Sequence, residues 1–232
     1  MIKYLLLISV TLIISCNSLK KSSSITVVGQ MKDVMWKGEL EGKVSTDTIN
    51  SSDAYGLGPI EFLKGEILLF EGKTFISSVI DSSEHKVIQT NSVKAPFLVF
   101  SKNSNLRKVK FPNKNFTLNS LENFIDSIYM EYDEPLLVRI DGVFDNITIH
   151  SVNLADGSIV KSPNDAHEGL IKYNYNNKSG SIIGFFSRKH KTIFTHHDSY
   201  LHAHFISNDR SILGHLDSIS FNSKKSILKV SK

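Results

Sequence analysis

Six of the nine histidines in this 232-residue chain fall between His190 and His215. The spacing that matters is His202-Ala203-His204, followed by His215. Side chains two apart on a strand share a face, so His202 and His204 point the same way while Ala203 points the other. The run Ser207-Asn208-Asp209-Arg210-Ser211 has turn composition. A hairpin centred between Asp209 and Arg210 pairs residue 204 with residue 215, since both lie equally far from the centre. Directly opposed antiparallel residues hold their Cβ atoms about 4.5–5.5 Å apart. Three imidazoles placed so can converge on one divalent ion, for which zinc is the commonest three-histidine catalytic choice. Three protein ligands leave coordination positions open, and such an ion polarises a carbonyl and stabilises a developing enolate. A histidine-rich hairpin that only scavenges metal is the competing reading. His196 and His197 have no register partner and read as loop residues. A cupin-type metal motif would need a glutamate soon after the His-x-His pair, and Phe205 to Arg210 contains none.

Other elements must position these residues. Short runs rich in β-branched and aromatic residues alternate with Gly, Asn, Asp and Ser clusters, the pattern of a β-dominated fold. Glu66 to Phe70, then Glu71-Gly72, then Lys73 to Ile76 reads as a hairpin with a tight glycine turn. Further strands are expected at Ala95–Phe100, Leu136–Ile140, Val143–Ile149, Ile182–Phe186 and Leu201–Ile206. Leu118, Leu121, Ile125 and Ile128 recur at helical steps, predicting a helix from Leu118 to Tyr129. A second helix is expected from Met31 to Leu40. The fold class is therefore mixed α+β and β-dominated, with mostly antiparallel sheets, a histidine-bearing β-hairpin and one or two packed helices.

The N-terminus reads differently. Lys3 precedes an apolar and Ser/Thr run from Tyr4 to Ile14, too short for a bilayer-spanning helix of about 20 residues but suited to a signal peptide. Ile13-Ile14-Ser15-Cys16 resembles the bacterial lipoprotein signal, whose cysteine is acylated after cleavage. Residues 1–15 are thus expected to be a lipoprotein-type signal peptide, and residues 16–24 an acylated Cys16 with a polar, flexible tether. Cys16 is the chain's one cysteine and can form no internal disulfide. Residues 25–232 then make one domain, and the expected location is the cell envelope, exported and membrane-anchored through lipid. Charge is modest, +4 with a pI of about 9.0, and no basic stripe carries interleaved aromatics, so nucleic acid is not an expected partner. No motif implies a partner protein, and a homodimer is compatible with the sequence.

Two blocks make the chain resemble the α-acetolactate decarboxylases. Gly56-Leu57-Gly58-Pro59 through Lys64-Gly65-Glu66 is similar to the family's block ending in Asp-Gly-Glu. Leu201-His202-Ala203-His204-Phe205, with Asp209-Arg210 and Gly214-His215, is similar to its His-Leu-His-Phe, Asp-Arg and Gly-His block. The resemblance implies one zinc ion on His202, His204 and His215. It also implies Glu66 handling the substrate and its proton, and decarboxylation of 2-acetolactate or a related small 2-hydroxy-3-keto acid to an acetoin-type product. Three positions depart from the family. An ungapped count from Gly142 places the family's substrate-binding arginine at His150, its threonine falls on Pro59, and a late glutamate has no counterpart, the sole acid after His215 being Asp217. The resemblance therefore leaves open a lipid-anchored zinc-binding protein of the same fold with weakened or absent activity.

Overall fold

The computed structural model describes residues 25–102 and 104–231; the signal peptide, Cys16 and the tether lie outside them. In chain order come β1 (Ile25–Val28), α1 (Met31–Lys37), β2 (Val44–Ser45), β3 (Tyr55–Pro59), β4 (Glu66–Phe70), β5 (Lys73–Val79), β6 (His85–Thr90), β7 (Lys94–Ala95) and β8 (Leu98–Ser101). They are followed by β9 (Leu106–Val109), β10 (Asn115–Thr117), α2 (Leu118–Ile128), β11 (Leu136–Ser151) and the single-turn α3 (Pro163–Ala166). The chain then runs through β12 (Ile171–Phe186), β13 (Leu201–Ser207), β14 (Leu213–Asn222) and β15 (Ser226–Ser231).

Two antiparallel sheets dominate. The first has the order β1-β8-β3-β4-β5-β6, the second β10-β14-β13-β12-β11-β15-β9. A further β14–β11 pairing joins β11, β12, β13 and β14 into a closed ring. The mixed, β-dominated class and the histidine-bearing hairpin are as the sequence implies.

Local chemistry explains the boundaries. Glu71 and Gly72 both take positive φ, 52° and 73°, which is the tight turn that lets β4 and β5 pair Phe70 with Lys73. Helix α1 ends at Lys37, short of Leu40, because Gly38 adopts the left-handed conformation and returns its N–H to the Asp33 carbonyl. Helix α2 opens with a capping box, Thr117 and Ser120 each binding the other's backbone N–H. Its apolar stripe packs through Leu121 and Ile125, but Ile128 is 41% exposed, so the stripe stops a turn early. The strands expected at Leu136–Ile140 and Val143–Ile149 are one continuous strand. Asp141-Gly142 looked like a break, yet β15 pairs across it, and a Cβ on Gly142 would sit 2.2 Å from Ser226 Oγ. That glycine is a close approach of two strands and not a turn.

The sheets pack face to face. Leu57, Leu68 and Val99 of the first meet Leu137, Ile183, Phe185 and Ile206 of the second in one buried cluster. The other face of the second sheet, including Ala203 and Phe205, packs with Leu121 and Ile125 of α2.

Candidate metal centre

The hairpin register is the one obtained by counting from its turn. His204 pairs with His215, Phe205 with Gly214 and Ile206 with Leu213. The turn is set by Asp209, whose Oδ1 accepts hydrogen bonds from Ser207 Oγ at 2.5 Å and from the Ser211 backbone N–H at 3.1 Å. Alternation along β13 then sends Ala203 and Phe205 into the α2 core, leaving His202 and His204 on the opposite face. On its other side His215 pairs with His150 of β11, so β14 lies between two histidine-bearing strands.

The rings are close. Centroids of His202 and His215 are 4.8 Å apart, those of His202 and His204 5.3 Å, and those of His204 and His215 5.5 Å. His202 Nδ1 lies 2.7 Å from the Phe194 carbonyl. A carbonyl can only accept, so Nδ1 carries the proton and Nε2 presents a lone pair. That Nε2 lies 3.1 Å from His215 Nδ1, near the roughly 3.3 Å separation of two nitrogens on a tetrahedral zinc. His204 Nδ1 and His196 Nε2 are buried and have no hydrogen-bond partner.

Burial holds these imidazoles neutral. It drives His202 and His215 well below the ordinary histidine value, with neighbouring histidines adding to the effect. His204 is pushed down to about 3 and His196 to about 4, again chiefly by burial. Neutral rings offering lone pairs, two with unpartnered nitrogens, are what a divalent ion requires. The donor set fits zinc, with the Phe194 carbonyl fixing the tautomer of one ligand as such outer partners do.

The first sheet contributes Glu66, which opens β4 and is 4% exposed. Its Oε1 accepts from the Val152 backbone N–H at 3.1 Å, and Oε2 stands 3.6 Å from His204 Nε2. Burial raises its carboxyl to about 8, the Asp217 charge contributes in the same direction, and the Val152 N–H opposes both. At neutral pH Glu66 is therefore a protonated acid facing a neutral imidazole, and the pair is not a salt bridge. Pro59 is its register partner on β3.

His150 occupies the neighbourhood where the resemblance places an arginine. Its ring stacks on His215 at 4.4 Å, and its Nδ1 donates to Asp217 Oδ1 at 2.6 Å. Lys172 Nζ pairs with the other Asp217 oxygen at 3.1 Å. Burial works against the Asp217 charge, yet the His150 hydrogen bond and Lys172 hold its carboxyl below the usual range.

One residue of the cluster escaped the sequence. A ring nitrogen of His196 lies within 4.8 Å of those of His202 and His215, while its neighbour His197 is exposed. His196 sits between β12 and β13, and neither alternation nor pairing places a loop residue. The half-open space among these rings, Glu66 and the α1 methionines is only about 30 Å³. A roomier cleft of about 660 Å³ lies elsewhere, beside Arg139, Asp141 and Arg210, and none of the histidines lines it.

With that geometry in place, comparison with known proteins gives one answer at every level. The sequence profile of the alpha-acetolactate decarboxylase family matches residues 28–231. An alpha-acetolactate decarboxylase of Methanosarcina mazei is 24% identical over 187 residues, 79% of this chain but only 62% of that protein's length. One from Bacillus subtilis strain 168 is 26% identical over 194 residues, 84% of this chain and 73% of its own. The crystal structure of alpha-acetolactate decarboxylase from that strain superposes with a TM-score of 0.75 at 22% identity, covering 89% of this chain and 84% of the crystallised one.

Proposed function

Because this chain belongs to the alpha-acetolactate decarboxylase family, we propose that it decarboxylates 2-acetolactate, or a related small 2-hydroxy-3-keto acid, to acetoin or its analogue. One zinc ion would be held by His202, His204 and His215. The observation that carries this reading is the buried Glu66, brought by one sheet to within 3.6 Å of His204 on the other.

When bound, zinc would supply Lewis acidity toward the substrate's adjacent ketone and hydroxyl oxygens. The chain's own groups do the rest. Breaking the bond to the carboxylate releases carbon dioxide and leaves its electron pair on the carbon next to the ketone. Glu66 delivers a proton to that carbon, and the burial that raises its carboxyl favours the protonated form able to do so. The Val152 N–H keeps Oε1 fixed and directs Oε2 toward the imidazoles. Lipid on Cys16 would hold the protein at the cell envelope.

A specific observation favours a second reading, a zinc-binding protein of the same fold without decarboxylase activity. His150 is tied to Asp217 and is no free, permanently charged guanidinium for a substrate carboxylate. The two separate in one experiment, acetoin formation from racemic acetolactate by the purified protein, with zinc measured on the same sample and His204→Ala as control. Acetoin made only by zinc-loaded parent supports the enzyme. Bound zinc without acetoin above background supports the second reading.

A further inference from the structure

We propose that His196 is a fourth protein ligand of the ion, closing the site until the loop between β12 and β13 moves aside. This rests on the reading that His202, His204 and His215 hold a divalent ion.

Three observations converge. First, among the described residues one ring nitrogen each of His196, His202 and His215 lie within 4.8 Å of one another, a grouping that does not include His204. Second, the His196 ring stands nearly perpendicular to both partners, at 5.0 Å from His215 and 5.6 Å from His202 with interplanar angles of 72° and 76°. Its Nε2 is buried with no hydrogen-bond partner. A polar atom sealed from water and left unpaired is unfavourable, and an ion on that side would satisfy it. Third, the same loop already serves the cluster, since its Phe194 carbonyl fixes the tautomer of His202.

The consequence is a site with two states. Four imidazoles fill a tetrahedral zinc, the arrangement of a closed and structural centre. The half-open space of about 30 Å³ takes a water molecule or two and is far below what a branched keto acid needs. His196 is the ring best able to leave, because it sits on a loop while His204 and His215 are held by strand pairing on both sides and His202 by pairing with β12. Its departure would open a coordination position and a path at the same stroke.

The test uses the full chain and zinc alone. Zinc affinity is measured by competition with a chromophoric chelator for parent, His196→Ala, His196→Asn, His197→Ala and His202→Ala, with circular dichroism checking that each folds. Cobalt(II)-loaded samples are scanned in the visible before and after addition of azide. The expected result is at least about tenfold weaker zinc binding in both His196 variants, a changed cobalt spectrum and newly acquired azide binding, with His197→Ala behaving as parent. Zinc held equally well by parent and both His196 variants, but lost in His202→Ala, overturns this inference alone. A parent that binds no zinc overturns it together with the reading beneath it.

Discussion

Glu66 and the buried imidazoles are ionisable groups that folding keeps neutral, and their opposite signs give the metal-free protein a definite pH profile. The carboxyl is raised from 4.5 to about 8, so between those values the folded state holds a proton the unfolded state has lost. Its contribution to stability is complete below pH 4.5 and is lost as pH rises to about 8. The histidines are depressed from 6.5, His196 to about 4 and His204 to about 3. Their contribution is present above pH 6.5 and is lost as pH falls toward those values. The imidazoles outnumber the carboxyl, so stability should climb to a maximum near pH 6.5 and then decline by up to about 2 kcal/mol by pH 8. Urea unfolding with chelator present at pH 6, 7 and 8 measures this, and Glu66→Gln should flatten the decline. A slope that persists in Glu66→Gln would assign it to another group. The five residues differ in how readable they were. His202, His204 and His215 follow from strand alternation and a countable turn, and Glu66 followed only from its resemblance to a family block. His196 left no trace, because loop position is set by tertiary packing and has no period.

The next scale up is the loop that carries His196, and it is anchored at its start to α2. Arg188 donates through Nε to Asp126 Oδ1, through Nη2 to the Asp126 carbonyl, and through Nη1 to the carbonyls of Tyr129 and Tyr132. The Asp126 and Tyr129 carbonyls lie at the C-terminus of α2, where a cation is favoured. Arg188→Ala should cost about 1–2 kcal/mol, given that the group is partly exposed. If the loop supplies a zinc ligand, the same change should weaken zinc binding several-fold, and Arg188→Lys should restore little because the planar fork is lost. Chelator competition and thermal melts check both halves; unaltered zinc affinity would mean that the loop keeps its place without this anchor. Elements governed by local rules were legible here. Glu71-Gly72 announced its turn, Leu118 to Ile125 announced α2, and the hairpin register at His204 could be counted. Leu136 to Ser151 was not, since the reason it continues through Gly142 is the crowding of β15, some 85 residues later. His150 opposite His215 was equally hidden, because that pairing closes a ring of strands distant in sequence.

Taken whole, the molecule divides its site between its two sheets. All three histidines of the hairpin belong to the second sheet, and Glu66 belongs to the first, so the proposed metal binding and proton delivery would depend on different parts of the core. The seam between them is apolar, with Leu57 and Leu68 of the first sheet against Leu137, Ile183 and Phe185 of the second, each essentially without exposure. Leu68 lies two residues from Glu66 on β4 and faces that seam. Leu68→Ala should cost about 2–5 kcal/mol by removing buried methyl groups and leaving a cavity, a large share of a typical 5–15 kcal/mol total. The strand pairing that holds His204 opposite His215 does not pass through Leu68, so zinc should remain bound. What should suffer is the placement of Glu66 against His204, which the seam maintains together with the Val152 hydrogen bond. The expected outcome is a lower melting temperature, near-parental zinc content and affinity, and acetoin formation reduced in kcat more than in KM. Parallel loss of zinc and of turnover would instead mean that the two sheets hold the ion jointly, with Glu66 bound to it as a ligand and not standing beside it as an acid.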